Sequence, residues 1–186
     1  MLDKMLGLIP NKKARDVALT GVGMLSLLAG RKVVGLTMFA KGALGLEEEW
    51  RRAHPDFNGT IVDRWEHAIS FYESTHENPT NRKLHVVGIP MILGGAAGLI
   101  VLRPYRPLWM LAATSFTVGW VLNFIGHGFF EKKAPAFSDD PLSFLAGPVW
   151  DFKHGGKARA RDPSMGVGVT PTATHDDVNV VGTAAA

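Results

Sequence analysis

Seven histidines and no cysteine set the chemistry open to this chain of 186 residues. Without thiols there is no disulfide, iron–sulfur cluster, thiolate nucleophile or Cys-ligated zinc, so a bound metal must rely on imidazole, carboxylate and water. Asn81 and His85 stand four apart, and Asn123, His127 and Glu131 follow one another at intervals of four, which puts each set on one face of a helix. Together with His76 these residues offer neutral imidazoles and a carboxylate. With open positions for oxygen and substrate, that is the donor set of a non-haem Fe(II) centre. The same ligands suit a zinc hydrolase with Glu131 as general base. His54, beside Pro55, and His67, on a solvated helix face, read as structural, and His154 and His175 lie toward or in the C-terminal end.

The elements that must position these groups are written in the hydropathy. Hydrophobic residues make up 46% of the chain against 20% charged, with 21 Gly and 11 Pro, and mean hydropathy is +0.08. Such a balance excludes a disordered chain and fits an all-α, polytopic helical membrane protein, in which Gly and Pro are common. The charge of +3 suits an anionic membrane surface, and no interleaving of aromatic with basic residues points to nucleic acid. Val86 to Leu102 carries no charge, and Pro107 to Phe130 has His127 as its sole ionisable group. Both are candidate membrane helices, joined by the turn Arg103-Pro104-Tyr105-Arg106. Gly94 and Gly98 form a small-xxx-small pair for close helix approach, and Pro90 is expected to kink the first helix.

Ahead of this hairpin, Val17 to Gly30 and Val33 to Leu46 form a shorter apolar hairpin turning at Gly30-Arg31-Lys32, preceded by an amphipathic lead-in ending at Ile9. Glu47 to Lys83 is the charged block that must meet water. Within it Thr60 and Asp63 read as a capping box, followed by Ile61, Trp65, Ala68, Ile69, Tyr72 and His76 at helical spacing, with Pro79 ending the helix near Asn78. Pro141 to Phe152 reads as an interfacial helix. These segments give three regions: residues 1–46, a lead-in and apolar hairpin; 47–156, the histidine-bearing helical domain; and 157–186, a disordered tail. An antiparallel hairpin returns its second helix to the level at which the first began, so His76, His85, His127 and Glu131 meet at one membrane face.

Tyr72, His76, Asn78, Asn81, Arg82, His85, Gly88 and Pro90, followed by Gly119, Trp120, Gly126, His127, Glu131, Pro135 and Ala136, form two separated motifs around a hydrophobic hairpin. Over roughly residues 60–152 the chain resembles the Mpo-type membrane 2-hydroxy fatty acid dioxygenase family. The resemblance implies an Fe(II)-dependent enzyme that uses O2 to shorten a 2-hydroxy fatty acid by one carbon. It also implies His76, His85 and His127 as metal ligands, Glu131 as a fourth ligand or the partner of His127, and Asn81 as a donor behind the ligands. Arg82 would either receive the substrate carboxylate or anchor the interface. The alternative from a different class is a non-catalytic membrane scaffold or transporter subunit whose histidines tie helices together. Arg64, Arg82, Lys83, Lys132 and Lys133 on the histidine side outnumber Arg103 and Arg106 at the turn, which places the site in the cytoplasm. Composition leans toward a bacterial inner membrane, with the endoplasmic reticulum as the eukaryotic counterpart.

Overall fold

A computed structural model describes Ile9 and residues 11–154; the lead-in before Ile9, the tail from 157 and His175 lie outside the described residues. Six α-helices occur there, with no strand. The first, α1 (Lys12–Leu28), is capped by Asn11, whose side chain accepts from Ala14 N at 3.2 Å. After a turn with Gly30 at φ +70°, α2 (Lys32–Ala53) runs back antiparallel. A Cβ on Gly23 would lie 2.5 Å from Phe39 N, so backbone touches backbone along this pair. The chain turns between Leu28 and Lys32. The second arm of this hairpin runs unbroken past residue 46 into the charged block.

Helix α3 (Ile61–Thr75) opens with the reciprocal Thr60–Asp63 capping box. Its buried stripe is Arg64, Ala68 and Tyr72, whereas Ile61 and Val62 are exposed. The expected face is therefore rotated. The reason is electrostatic: Arg64 is fully buried, donating to both Asp140 oxygens at 2.9 and 2.7 Å and to both Glu47 oxygens at 3.0 and 2.8 Å, with its guanidinium over the Trp50 ring. His67 is not simply solvated either, because its Nδ1 meets Asp140 at 3.1 Å.

The helix stops at Thr75, and Asn78 with Pro79 begins the next one instead of ending α3. Asn78 accepts from the N–H groups of Thr80 and Asn81, and Pro79 at the first turn has no N–H to satisfy. Helix α4 (Pro79–Val101) thus starts early enough to include Asn81, Arg82 and His85. Helix α5 (Pro107–Ile125) continues into a π-helical turn, Gly126–Glu131, closed by Lys132 at φ 55°. Segments Pro79–Val101 and Pro107–Glu131 are long and apolar enough to cross a membrane.

These two helices pack antiparallel through Gly88, Gly95 and Gly119: a Cβ on Gly119 would lie 2.6 Å from Gly88 O, and one on Gly95 2.6 Å from Phe116 N. Gly98 meets the Ala112 side chain, but Gly94 faces open space, so the close stripe is Gly88–Gly95 rather than Gly94–Gly98. Both hairpins meet at their turns, where Lys32 Nζ donates to Leu102 O at 2.6 Å and Tyr105 Oη to Ala29 O at 2.7 Å. Between them Leu27, Ile92, Leu99, Trp109 and Phe116 form the core. Across the opposite end lie α3 and α6 (Ser143–His154), packed on each other through Tyr72, Ala68 and Trp150.

Candidate metal centre

His76 caps the C-terminus of α3, His85 lies two turns into α4, and His127 sits in the π turn that ends α5. All three are buried, at 2%, 3% and 5% exposure. Their ring centroids stand 4.9 Å apart in every pair, with planes crossed at 77°, 81° and 80°. Three imidazoles therefore surround one point almost symmetrically.

The backbone fixes which nitrogen faces that point. His76 Nδ1 lies 2.8 Å from Tyr72 O and His85 Nδ1 lies 2.9 Å from Asn81 O. A carbonyl can only accept, so each Nδ1 holds the proton and each Nε2 presents a lone pair inward. His76 Nε2 is buried with no hydrogen-bond partner, and His85 Nε2 stands 3.1 Å from His127 Nε2. An orphaned lone pair and two converging ring nitrogens are what a bound cation satisfies. Two nitrogens each about 2.1 Å from a shared ion sit roughly 3 Å apart. The residues fit a metal: one donor atom from each ring lies within 4.8 Å of the others. The ring of His76 is held neutral and pushed down to about 2, first by burial and then by His85, so it is a ready ligand across the physiological range.

The π turn decides how Glu131 is used. Its Oε1 accepts from Glu77 N at 3.1 Å, and its Oε2 from Asn78 N at 3.1 Å and Asn81 Nδ2 at 2.9 Å. The carboxylate thus pins the α3–α4 turn, and with it His76, to the end of α5. It does not reach His127 Nδ1, which has no partner. Asn81 is fully buried, with Oδ1 packed against Gly126, where a side chain would collide with it. Arg82 is buried too, donating to His76 O at 3.0 Å beneath the ring of Trp150. It is not among the residues that line the neighbouring cleft.

A cleft opens beside the three rings, between the α4–α5 pair and α6, lined mainly by apolar side chains. No Lys, Arg, Asp or Glu lines it.

A family model described as 2-hydroxy-palmitic acid dioxygenase Mpo1-like matches residues 62–154. The chain belongs to this Mpo1-like family. It is also similar to the 2-hydroxy-palmitic acid dioxygenase MPO1 of Saccharomyces cerevisiae, 25% identical over 122 aligned positions that cover 41% of this chain and 70% of the yeast protein. No solved structure matches. The Mpo1-like region begins one residue into α3 and ends on the last residue of α6, so it contains all three histidines, and α1 and α2 stand outside it.

Sequence reasoning named Tyr72 without a role at the Mpo1-like histidines and did not name Asp151. Tyr72 stacks under His76 at 3.8 Å between centroids, and its hydroxyl donates to Asp151 at 2.6 Å. Burial, then Asp151, raises the Tyr72 phenol, and burial above all raises the Asp151 carboxyl. Tyr72 was legible as the residue four before His76; Asp151, in a different helix, carried no such signal.

Proposed function

We propose that this protein is an Fe(II)-dependent membrane dioxygenase that uses O2 to shorten a 2-hydroxy fatty acid by one carbon. The observation that carries the reading is the ring of three buried imidazoles with inward lone pairs, inside a region that matches dioxygenases named for 2-hydroxy-palmitic acid. His76, His85 and His127 would hold the iron, which supplies Lewis-acid polarisation and a template for oxygen beside the substrate. Three protein ligands leave coordination positions open.

The remaining residues act by holding those rings. Tyr72 and Asn81 direct His76 and His85 through their backbone carbonyls. Arg82 fixes His76 by gripping its carbonyl, and Glu131 locks the turn that carries it. Since no cationic side chain lines the cleft, the substrate carboxylate is left to the metal and to neutral donors. Glu131 is already occupied by three donors, which supports the dioxygenase reading over a zinc hydrolase that needs a free general base.

Two hairpins lie in the bilayer in this reading, with α3 and α6 along one surface. Arg64 and Arg82 are buried and cannot count toward topology. Lys83, Lys132 and Lys133 remain on the histidine side, joined by Lys12, Lys13, Arg15, Arg51 and Arg52 from the open end of α1 and α2, against Arg31, Lys32, Arg103 and Arg106 at the turns. The excess puts the centre on the cytoplasmic side. The deciding experiment is anaerobic purification with metal analysis, followed by oxygen uptake on 2-hydroxypalmitic acid with and without ferrous iron. Stoichiometric iron and uptake that requires it are expected. Metal-free protein without uptake would favour a scaffold, and zinc without uptake a hydrolase.

A further inference from the structure

The acyl chain of such a substrate needs a place, and the seam between α4 and α5 is closed: at Gly88 and Gly119 the two backbones touch, leaving no width for a hydrocarbon. The open volume lies on the other side of the hairpin, under α6. Along α4 its wall runs from His85 through Ile89 and Ile92 to Leu93, about 12 Å down the helix from the metal-binding rings. Ile89 and Ile92 are buried, whereas Leu93, Phe124 and Leu145, which also line the cleft, are 41%, 53% and 54% exposed. These three come from α4, α5 and α6 and frame a mouth that opens sideways on the apolar flank of the hairpin. Apart from the histidines, the polar groups of the wall are Tyr72, Asn123, Ser143 and the indole N–H of Trp120; Trp120 Nε1 and Asn123 Oδ1 are buried without a hydrogen-bond partner. Tyr72 and Ser143 donate within the protein, to Asp151 and to Ala68 O.

We infer that Leu93, Phe124 and Leu145 form a lateral portal through which a single long acyl chain passes from the bilayer to the three-histidine centre. The inference rests on the dioxygenase reading for the head group but commits to the route of the tail. A water-soluble ligand would meet polar groups at the mouth, and this one is apolar and continuous with the exposed Val86, Val121 and Ile125 of the same two helices. Because the cleft is short, a long chain fills it and leaves its far end in lipid.

The test uses the full chain in phosphatidylcholine–phosphatidylglycerol vesicles, with 2-hydroxypalmitic acid carrying a mid-chain diazirine as photoprobe and mass spectrometry to locate the label. Labelling of the peptides holding Leu93, Phe124 and Leu145, competed by unmodified 2-hydroxypalmitic acid, is expected. Leu145→Arg and Leu93→Trp, both at exposed positions, should each lower competed labelling about tenfold with metal content unchanged. Leu25→Arg, exposed on α1, should leave it unaltered. Label on α1 or α2, label that resists competition, or insensitivity to both portal variants would overturn the portal. Competed label at the portal without oxygen uptake would keep the portal and sink the dioxygenase reading; uptake with label elsewhere would do the reverse.

Discussion

At the scale of single residues, the centre depends on protons being kept off ring nitrogens. His76 is neutral in the folded chain and ordinary once unfolded, so below about pH 6.5 the unfolded state binds the additional proton. Its folded value is depressed, and the contribution is therefore complete above pH 6.5 and drains away as pH falls toward 2. Metal-free protein in chelator should lose stability at up to about 1.4 kcal/mol per pH unit from this site, and His76→Asn should remove that slope in denaturant titrations across pH 7 to 4. His127→Ala is expected to abolish bound metal and oxygen uptake while leaving the helical circular dichroism intact; retained metal would refute the ligand set. Tyr72→Phe leaves the buried Asp151 without its donor, and a loss of about 1.5–3 kcal/mol should follow, read by chemical unfolding in detergent.

At the scale of elements, the rings are only as well placed as the two helices that bear His85 and His127. A methyl group on Gly119 would strike Gly88 O and Ile92 N, neither of which can rotate away. Gly119→Ala should cost about 1–3 kcal/mol and weaken metal binding, because parting the helices parts the imidazoles. Gly94 has open space around it, so Gly94→Ala should be neutral or stabilise by about 1 kcal/mol through helix propensity. The pair measured side by side separates packing from propensity. The sequence pointed to the Gly94–Gly98 pair, whereas Gly95 makes the close contact; helical phase relative to a partner is not a property of one strand of text. The π turn is a similar case. Regular spacing put Asn123, His127 and Glu131 on one face; the widened turn at Gly126–Glu131 splits them between Gly88, the histidine centre and the α3–α4 turn.

At the scale of the whole molecule, one buried cation joins the N-terminal hairpin to the Mpo1-like region. Arg64 binds Glu47 of α2 and Asp140 of the segment before α6, both inside a shell that includes Trp50. Removing it leaves Asp140, itself 1% exposed, with His67 Nδ1 and Leu142 N in place of a bidentate cation. Arg64→Met should therefore destabilise by about 3–5 kcal/mol and expose the α2–α3 connection to protease, whereas Arg64→Met combined with Asp140→Asn should recover part of the loss. A full additive loss in the double variant would show that the two do not act as a pair. Arg64 read as a surface charge because arginine in an acidic block normally is one; nothing local announces that a carboxylate from 76 residues away will close over it.

The all-helical class and the two long apolar helices were legible from composition and spacing, since uncharged runs, prolines and caps act on the nearest turn of chain. Tertiary structure alone decided the direction of each lone pair, the partners of Glu131 and Arg82, and the side of the hairpin on which a cleft opens. Those depend on helix rotation and on contacts between segments remote in sequence, where one residue of π-helical slip or one buried ion pair outweighs every local preference.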